Sequence, residues 1–535
     1  MIRTKDFEKP EPVKEGMFKP DWESLKQYRV PEWFRDVKFG IWAHWGPQCQ
    51  PEQGDWYARG MYQEGGGQNK WHVEHYGNPS KFGFKDVIHE WKAEKWDPDR
   101  LVALYKRVGA QYFFAMANHH DNFDLWDSKY QPWNSVKIGP EKDIIAAWEK
   151  AARKHGLRFG ISVHAAHAWS WYEPSQDFDG KLTKPDGRGQ WWDGFDPQDL
   201  YAQNHEPGED FLNSHKIHSQ WDWGNGASVP SMAYCEKFYN RTMDLINRYH
   251  PDLIYFDDTV LPLYPVSDLG LYITAHIYNS SMNWKKEREG KEGASARGEG
   301  RKEDGGENAD AVLFGKILDE EQRKCIAWDI ECGVPPTLLP FPWQTDTCIG
   351  GWHYNRPHYE NNRYKTPKTV IHMLADIVSK NGNLLLNIPV RGDGSIDEKE
   401  EKILEGIAAW MDVNKECIFG TRPWKVFGEG PASDGAPISA QGFNEGKGRP
   451  FTAEDMRFTS KGNVIYVIVM GWPEKPLQIK SLGTSTKLLE KKIENIQMLG
   501  SDEKIRWVQS AEALTIDPPK NRTSDISAAF KIVLK

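Results

Sequence analysis

Over the first four hundred residues, short apolar runs alternate with amphipathic segments. VKFGIWAHW (37–45) and AQYFFAMANHH (110–120) are apolar at successive positions, as strands buried on both faces must be. Between them PDRLVALYKRVG (98–109) shows helical spacing and stops at a glycine. The alternation continues with KDIIAAWEKAARKHG (142–156) as helix, LRFGISVHAAH (157–167) as strand, SMAYCEKFYNRTMDLINRYH (231–250) as helix and PDLIYFDD (251–258) as strand. AHIYNS (275–280) and KCIAWDIE (324–331) also read as strands. TVIHMLADIVSKNG (369–382) reads as a helix and NLLLNIPV (383–390) as the strand after it.

Continuous apolar strands separated by helices predict a parallel sheet covered on both faces. In several strands the polar residues gather at the C-terminal end: His44, His119 and His120, His164, Asp257 and Asp258, Glu331. That end carries the chemistry in a (β/α)8 barrel. A doubly wound open sheet is the alternative, and no glycine-rich phosphate loop follows any strand to support it. Residues 173–209 read as a long loop, and the charged, glycine-rich run 285–307 as a mobile surface insertion. After GIAAWMDVNKECIFGTRPW (406–424) the texture becomes β-rich, as in NVIYVIVMGW (463–472). The expected organisation is α/β: a (β/α)8-like barrel over residues 1–414, then an antiparallel β-sandwich domain over 415–535.

Composition narrows the partners. The chain has 535 residues, 27% charged and 39% hydrophobic, with a formal charge of −9 and both signs mixed throughout. That excludes a strongly basic nucleic-acid or anionic-membrane surface. No window approaches eighteen consecutive apolar residues, so no membrane span is expected. The start, MIRTKDFEKPEPVKEG, has no apolar signal-peptide core. Six cysteines without a CxxC pair are sparse for a disulfide scaffold. Tryptophan is unusually abundant at 25 residues, with Trp169, Trp171, Trp191, Trp192, Trp221 and Trp223 in loop sequence. They suit either core packing or stacking against the C–H face of a sugar.

The chemistry-bearing candidates sit at strand ends. Asp257 and Glu331 each close an apolar strand, where a carboxylate must be paired, solvated or reactive. Helix capping or ion pairing would satisfy them too. Two strands offering one carboxylate each at a barrel mouth also meet the needs of glycoside hydrolysis, one as nucleophile and the other as acid then base. His119–His120 next to Asp121 invites a zinc reading, but adjacent residues on a strand face opposite ways, and neither HxH nor HExxH spacing is present. Neutral histidines bonding sugar hydroxyls fit better; neither metal nor cofactor is expected.

Several blocks, in order, resemble the family 29 α-L-fucosidases. KFGIWAHWG (38–46) is similar to the family's opening strand, and GDWYARGMY (54–62) to the segment following it. HHDNFDLWDSKYQPWNSV (119–136) resembles its His-His-Asp-Gly-Phe block with Trp-Asn-Ser, and PDLIYFDD its nucleophile strand. PWQTDTCIGGWHYN (342–355) resembles the Trp-Glu-Thr…Trp-Gly-Tyr segment, while VSKNGNLLLNI (378–388) and IFGTRPW (418–424) resemble the end of the barrel. The likeness covers roughly residues 15–425.

The resemblance implies a retaining exo-hydrolase of terminal α-L-fucose on an oligosaccharide or polysaccharide, with Asp257 as nucleophile and Glu331 as acid/base. It implies sugar-binding roles for His44, His119, His120 and Trp56, with Asp55 in place of the usual Glu, and His164 and Tyr255 at their strand ends are further substrate-binding candidates. Trp42 and Trp352 would wall the pocket around C6, and Asp121 and Asp124 would orient the histidines from behind. It also points to a secreted or periplasmic setting. The chain departs from the pattern at Asn118 and Asn122, where Lys and Gly are usual, and at SVHAAHAW (162–169), which replaces a Tyr-Tyr-Ser run and brings in His164 and His167 as polar candidates near C6. It reads as a divergent subgroup. Release of α-L-galactose, a non-catalytic sugar-binding protein and zinc-dependent hydrolysis are the rival readings. Natural glycan, linkage and oligomeric state are left open.

Overall fold

The computed structural model describes residues 1–213, 223–291, 308–439 and 442–535, with the side chains of 285–291 left aside. Eight parallel strands close into a barrel: β1 (Phe39–Ala43), β2 (Tyr112–Asn118), β3 (Arg158–Val163), β4 (Leu253–Phe256), β5 (Val312–Gly315), β6 (Ala327–Glu331), β7 (Trp343–Cys348) and β8 (Gly382–Asn387). Each pairs with its sequence neighbour, and β1 closes on β8 through Phe39–Leu384 to Trp42–Asn387. Closure removes every sheet edge.

The strands are buried on both faces because one set of side chains fills the barrel and the alternate set meets the helices. Trp42, Tyr112, Phe114, Leu253, Tyr255, Val312 and Phe314 form the inner cluster. Ile41, Phe113, Ile161 and Ile254 point to the outer layer. Large rings inside demand small partners. A Cβ on Gly40 would lie 2.2 Å from the Tyr112 ring, and one on Gly160 would lie 2.7 Å from Phe114.

Helices Pro98–Val108, Ile144–Lys154, Met232–Tyr249 and Pro367–Ser379 cover the outside. The first three bury an apolar stripe and start on side-chain caps from Asp97, Asp143 and Ser231. The C-terminal strands form a five-stranded sheet, in which β9 (Arg422–Glu429) is an edge, and a three-stranded sheet, both antiparallel. They share a separate apolar core.

Two strand assignments need correction. AHIYNS lies within the helix Leu269–Lys291, not in a strand. Six residues that are buried all round carry no period by which to tell helix from strand. The fifth strand is instead Val312–Gly315, and β7 has no counterpart among the strands that the apolar runs predict. It carries Gln344, Thr345, Asp346 and Thr347, all buried, so its polar residues hid an interior strand. Of the charged run 285–307, residues 285–291 continue the helix and 292–307 lie outside the described residues. Residues 173–209 form the loop after β3, folded into short helical turns and the helix Pro197–Tyr201. Among the described residues no helix is long and apolar enough to cross a membrane.

Candidate active site

The C-terminal ends of the strands open into a cavity of about 390 Å³, at the small end of ligand pockets. Trp42, His44, Asp55, Trp56, His119, His164, Tyr255, Asp257, Glu331 and Trp352 all line it, together with Asp258, Thr259, Lys316, Ile317, Asp346 and Phe443. His120 sits just behind, its Nε2 3.2 Å from Asp257. The expected residues therefore converge from β1, β2, β3, β4, β6 and the loops after β1 and β7.

Lys316, unforeseen, organises the two carboxylates. Its Nζ lies 2.7 Å from Oδ1 of Asp257 and 2.6 Å from Oε2 of Glu331. The other Asp257 oxygen, Oδ2, accepts from Nδ1 of His164 at 3.2 Å. Burial would push the Asp257 carboxyl up, but the Lys316 ammonium and the bonds from His120 and His164 hold it well below the usual carboxylate range. Glu331 goes the other way. Burial raises it and the charge on Asp257 adds, which Lys316 only partly offsets. The same ammonium thus sits between one carboxyl kept ionised and one biased toward holding its proton. The sequence did carry a signal for Lys316, since AVLFGK is an apolar run ending in a charge like the others.

The histidines form a packed group. His44 stands within 5.0 Å, centroid to centroid, of the rings of His119, His164 and His353. Burial first, and mutual repulsion second, hold His44 and His119 well below the usual imidazole range. Burial lowers His164 to about 4 despite its bond to Asp257, so its ring is neutral, with Nδ1 donating to Asp257 and Nε2 accepting from Ser162 Oγ at 3.0 Å. Gln48 Nε2 donates to Nδ1 of His119 at 2.9 Å, while Ala58 N–H occupies the Gln48 carbonyl. His119 therefore carries its proton on Nε2. Both ring nitrogens of His44 and Nε2 of His353 are buried without a hydrogen-bond partner. Such atoms cost about 1–3 kcal/mol each unless a ligand completes them.

Two groups bring metal-ligating atoms together, His44 with Asp55, His119 and His353, and His119 with His120 and His164, each within 4.8 Å. Their wiring suits hydroxyls better than a metal. A metal-bound imidazole gives its other N–H to an acceptor, whereas His119 receives a bond from Gln48 there, and both nitrogens of His164 are engaged.

Local structure fixes these positions. Asn387 at the end of β8 accepts from the His44 N–H at 3.0 Å and donates to the Trp352 carbonyl at 2.8 Å, joining the β1 and β7 loops. A bridge between Gln53 and Asn355 brings Asp55 to His353, whose Nδ1 lies 2.6 Å from Asp55 Oδ1. His353 stands where the resembling segment has Gly, and Asp55 where it has Glu. The shorter acid and the imidazole meet each other at the cavity wall. Asn122 stands where Gly is usual because its φ is +62°, a left-handed position that Asn tolerates best after Gly.

Two expectations change, for Asp124 and His167, and the loop tryptophans divide between the core and ring pairs with histidines. Asp124 does not touch the histidines; it pairs with Arg241 and accepts from Asn118, whose carbonyl in turn holds the backbone of His164 and Ala165. His167 is fully buried behind the lining residue Asp258 and stacked on Trp223, and it does not itself line the cavity. The loop tryptophans Trp171, Trp192 and Trp223 belong to the core, Trp169 stacks on His205 and Trp191 on His89. Trp221 lies outside the described residues. Asp121 approaches the group through Gln48, with burial lifting its carboxyl to about 6.

A parallel barrel with a small, acid-lined, aromatic-walled cavity at its C-terminal mouth defines a barrel protein built to take a compact polyhydroxylated ligand. A family model described as Alpha-L-fucosidase matches residues 7–416, and one described as Alpha-L-fucosidase C-terminal domain matches 449–535. The chain belongs to the α-L-fucosidase family. It is 25% identical over 527 residues to the tissue alpha-L-fucosidase of Homo sapiens, covering 97% of this chain and 91% of the relative. It is 26% identical over 424 residues to the putative alpha-L-fucosidase of Caenorhabditis elegans, covering 76% and 70%. The solved Thermotoga maritima alpha-fucosidase in complex with fucose shares the fold, with a TM-score of 0.68, 23% identity, and coverage of 96% of this chain and all of that one.

Proposed function

We propose that the protein is a retaining exo-α-L-fucosidase, with the barrel of residues 1–414 as its catalytic unit. The observation that carries the reading is the shared ammonium. Two oxygens at 2.7 and 2.6 Å from one nitrogen cannot lie further apart than those lengths combined. That limit is compatible with the retaining separation of roughly 5–5.5 Å and lies short of the inverting one of about 6.5–9.5 Å, which supports the retaining reading.

Asp257 attacks the anomeric carbon as Glu331 gives its proton to the leaving oxygen, so the aglycone departs as an alcohol and a glycosyl ester forms. Glu331, now ionised, takes a proton from water, whose oxygen displaces Asp257 and frees the sugar. The opposed shifts of the two carboxyls suit these roles. Asp258 suits a structural role instead, since its oxygens accept from the backbone N–H groups of Thr259 and Leu263 at 2.6 and 2.9 Å. His44, His119 and His120 hold hydroxyls, and Trp56 offers a ring to the sugar.

A second reading, release of α-L-galactose, uses the same machinery and differs only by a hydroxyl on C6. In its favour, Trp42 Nε1 is buried without a hydrogen-bond partner although Trp42 lines the cavity. The test is release from paired aryl α-L-fucosides and α-L-galactosides, with the product anomer followed by NMR. Fucose released first as the α-anomer supports the proposal. A kcat/KM ratio favouring the galactoside a hundredfold replaces the substrate, and a β-anomer replaces the mechanism.

A further inference from the structure

Phe443 comes from the C-terminal part of the chain, yet it lines the cavity. Its N–H donates to the carbonyl of Glu331 at 2.8 Å, and the N–H of Glu445 donates to that of Cys332 at 2.9 Å. The buried Asn444 between them accepts from Val334 N–H at 2.8 Å and donates to the carbonyls of Val334 and Ala436 at 2.9 Å. Glu445 is held by Thr347 at 2.6 Å and Lys365 at 2.7 Å. Gly442 allows the close approach, since a Cβ there would lie 2.1 Å from the Glu331 carbonyl oxygen.

The segment is thus stitched to the end of β6, and the one side chain it leaves in the open is a phenyl ring, 44% exposed. Phe443 holds φ at +59°, a left-handed value that is an outlier for a bulky residue and persists only where the surroundings over-determine it. The histidines gather around Asp257, with His120 and His164 both 3.2 Å away. Phe443 hangs instead from Glu331, the group that meets the leaving oxygen.

We propose that Phe443 is the stacking platform of a second sugar subsite, the one holding the leaving group. The inference rests on the retaining-glycosidase reading. A pyranose ring lays its C–H face on the phenyl while Glu331 reaches the oxygen joining the two sugars. A phenyl ring has no polar handle, so the platform asks for a ring and is tolerant of which sugar supplies it. The ligand class is therefore an oligosaccharide, not a fucoside of a small alcohol.

The test compares three substrates of the full-length protein: an α-L-fucosyl-galactose disaccharide, 2,4-dinitrophenyl α-L-fucoside and α-L-fucosyl fluoride. Phe443→Ala is expected to lower kcat/KM for both ring-bearing leaving groups by about three- to tenfold relative to the fluoride. Phe443→Trp is expected to restore it. With a galactoside acceptor present, the ratio of sugar transfer to hydrolysis is expected to fall by a similar factor. Both products arise from one intermediate with the same general base, so that ratio reads acceptor binding alone. A loss confined to the disaccharide, with the aryl glycoside unaffected, marks damage to Glu331 and overturns the platform, as does an unchanged transfer ratio. A wild-type protein that releases no fucose, or inverts, overturns the functional reading itself and takes the platform with it.

Discussion

Replacing Lys316 with Gln tests whether one ammonium sets both carboxyls. The side chain is buried, and its charge stands at hydrogen-bond distance from Asp257 and Glu331. At an effective dielectric of about 20, a unit charge 3–4 Å away is worth roughly 4–5 kcal/mol. At 1.36 kcal/mol per pH unit this bounds the effect at about three to four pH units, and opposite charges at such distances usually move a carboxyl by about one to three. Lys316 lowers both groups, so its loss raises both. The acid limb of the kcat/KM profile, set by ionisation of Asp257, is expected to move up by about one to three pH units. The basic limb, set by loss of the Glu331 proton, moves up with it, and the whole bell slides alkaline.

Stability supplies the second readout. Glu331 already stands above its unfolded value, and losing the ammonium raises it further, so the folded state of the variant prefers it protonated. Stability is then lost as pH rises through its folded value, and the Tm deficit against wild type should be larger at pH 8 than at pH 5. An uncompensated buried charge costs about 3–5 kcal/mol, and His120 and His164 remain to bond Asp257. A bell that falls in height with both limbs unmoved would refute the reasoning, because it would make Lys316 a packing element only.

Asp257→Ala is expected to lower turnover more than about a thousandfold with the fold intact, whereas Asp258→Ala should mainly lower Tm, because two backbone N–H groups lose their acceptor; wild-type-like kinetics in the first and an inactive, stable second would reverse the assignment. Glu331→Ala should slow substrates with poor leaving groups far more than activated ones, and azide should intercept the glycosyl ester to yield the α-L-glycosyl azide with retention, which product NMR would detect. His353→Ala leaves Asp55 without its 2.6 Å partner and loosens the packing behind His44 and His119, so kcat/KM should fall about ten- to a hundredfold, mainly through KM. Gly442→Ala drives a Cβ to within 2.1 Å of the Glu331 carbonyl, and both Tm and disaccharide hydrolysis should drop, read by calorimetry and initial rates.

The chain's own periodicity determined that a parallel α/β barrel precedes a β-rich domain, because strands buried on both faces must be apolar without a break. It also placed Asp257, Glu331 and the histidines at strand ends, since a polar residue closing such a run has few places to go but the mouth. What the sequence could not carry was which strand ends meet. β7 carries no apolar signature because each of its polar residues finds a partner on another element: Gln344 donates to Asp329, Thr345 to the Ile330 carbonyl and Thr347 to Glu445, while Tyr255 donates to Asp346 at 2.9 Å. Asp55 and His353 lie far apart along the chain, and only the bridge between Gln53 and Asn355 makes them one unit. Lys316 and Phe443 owe their places to the closing of β5 against β6 and to a C-terminal segment laid on Glu331. A pKa or a sugar contact depends on distances of a few ångströms, and those are set by closure of the barrel, which no local pattern of residues encodes.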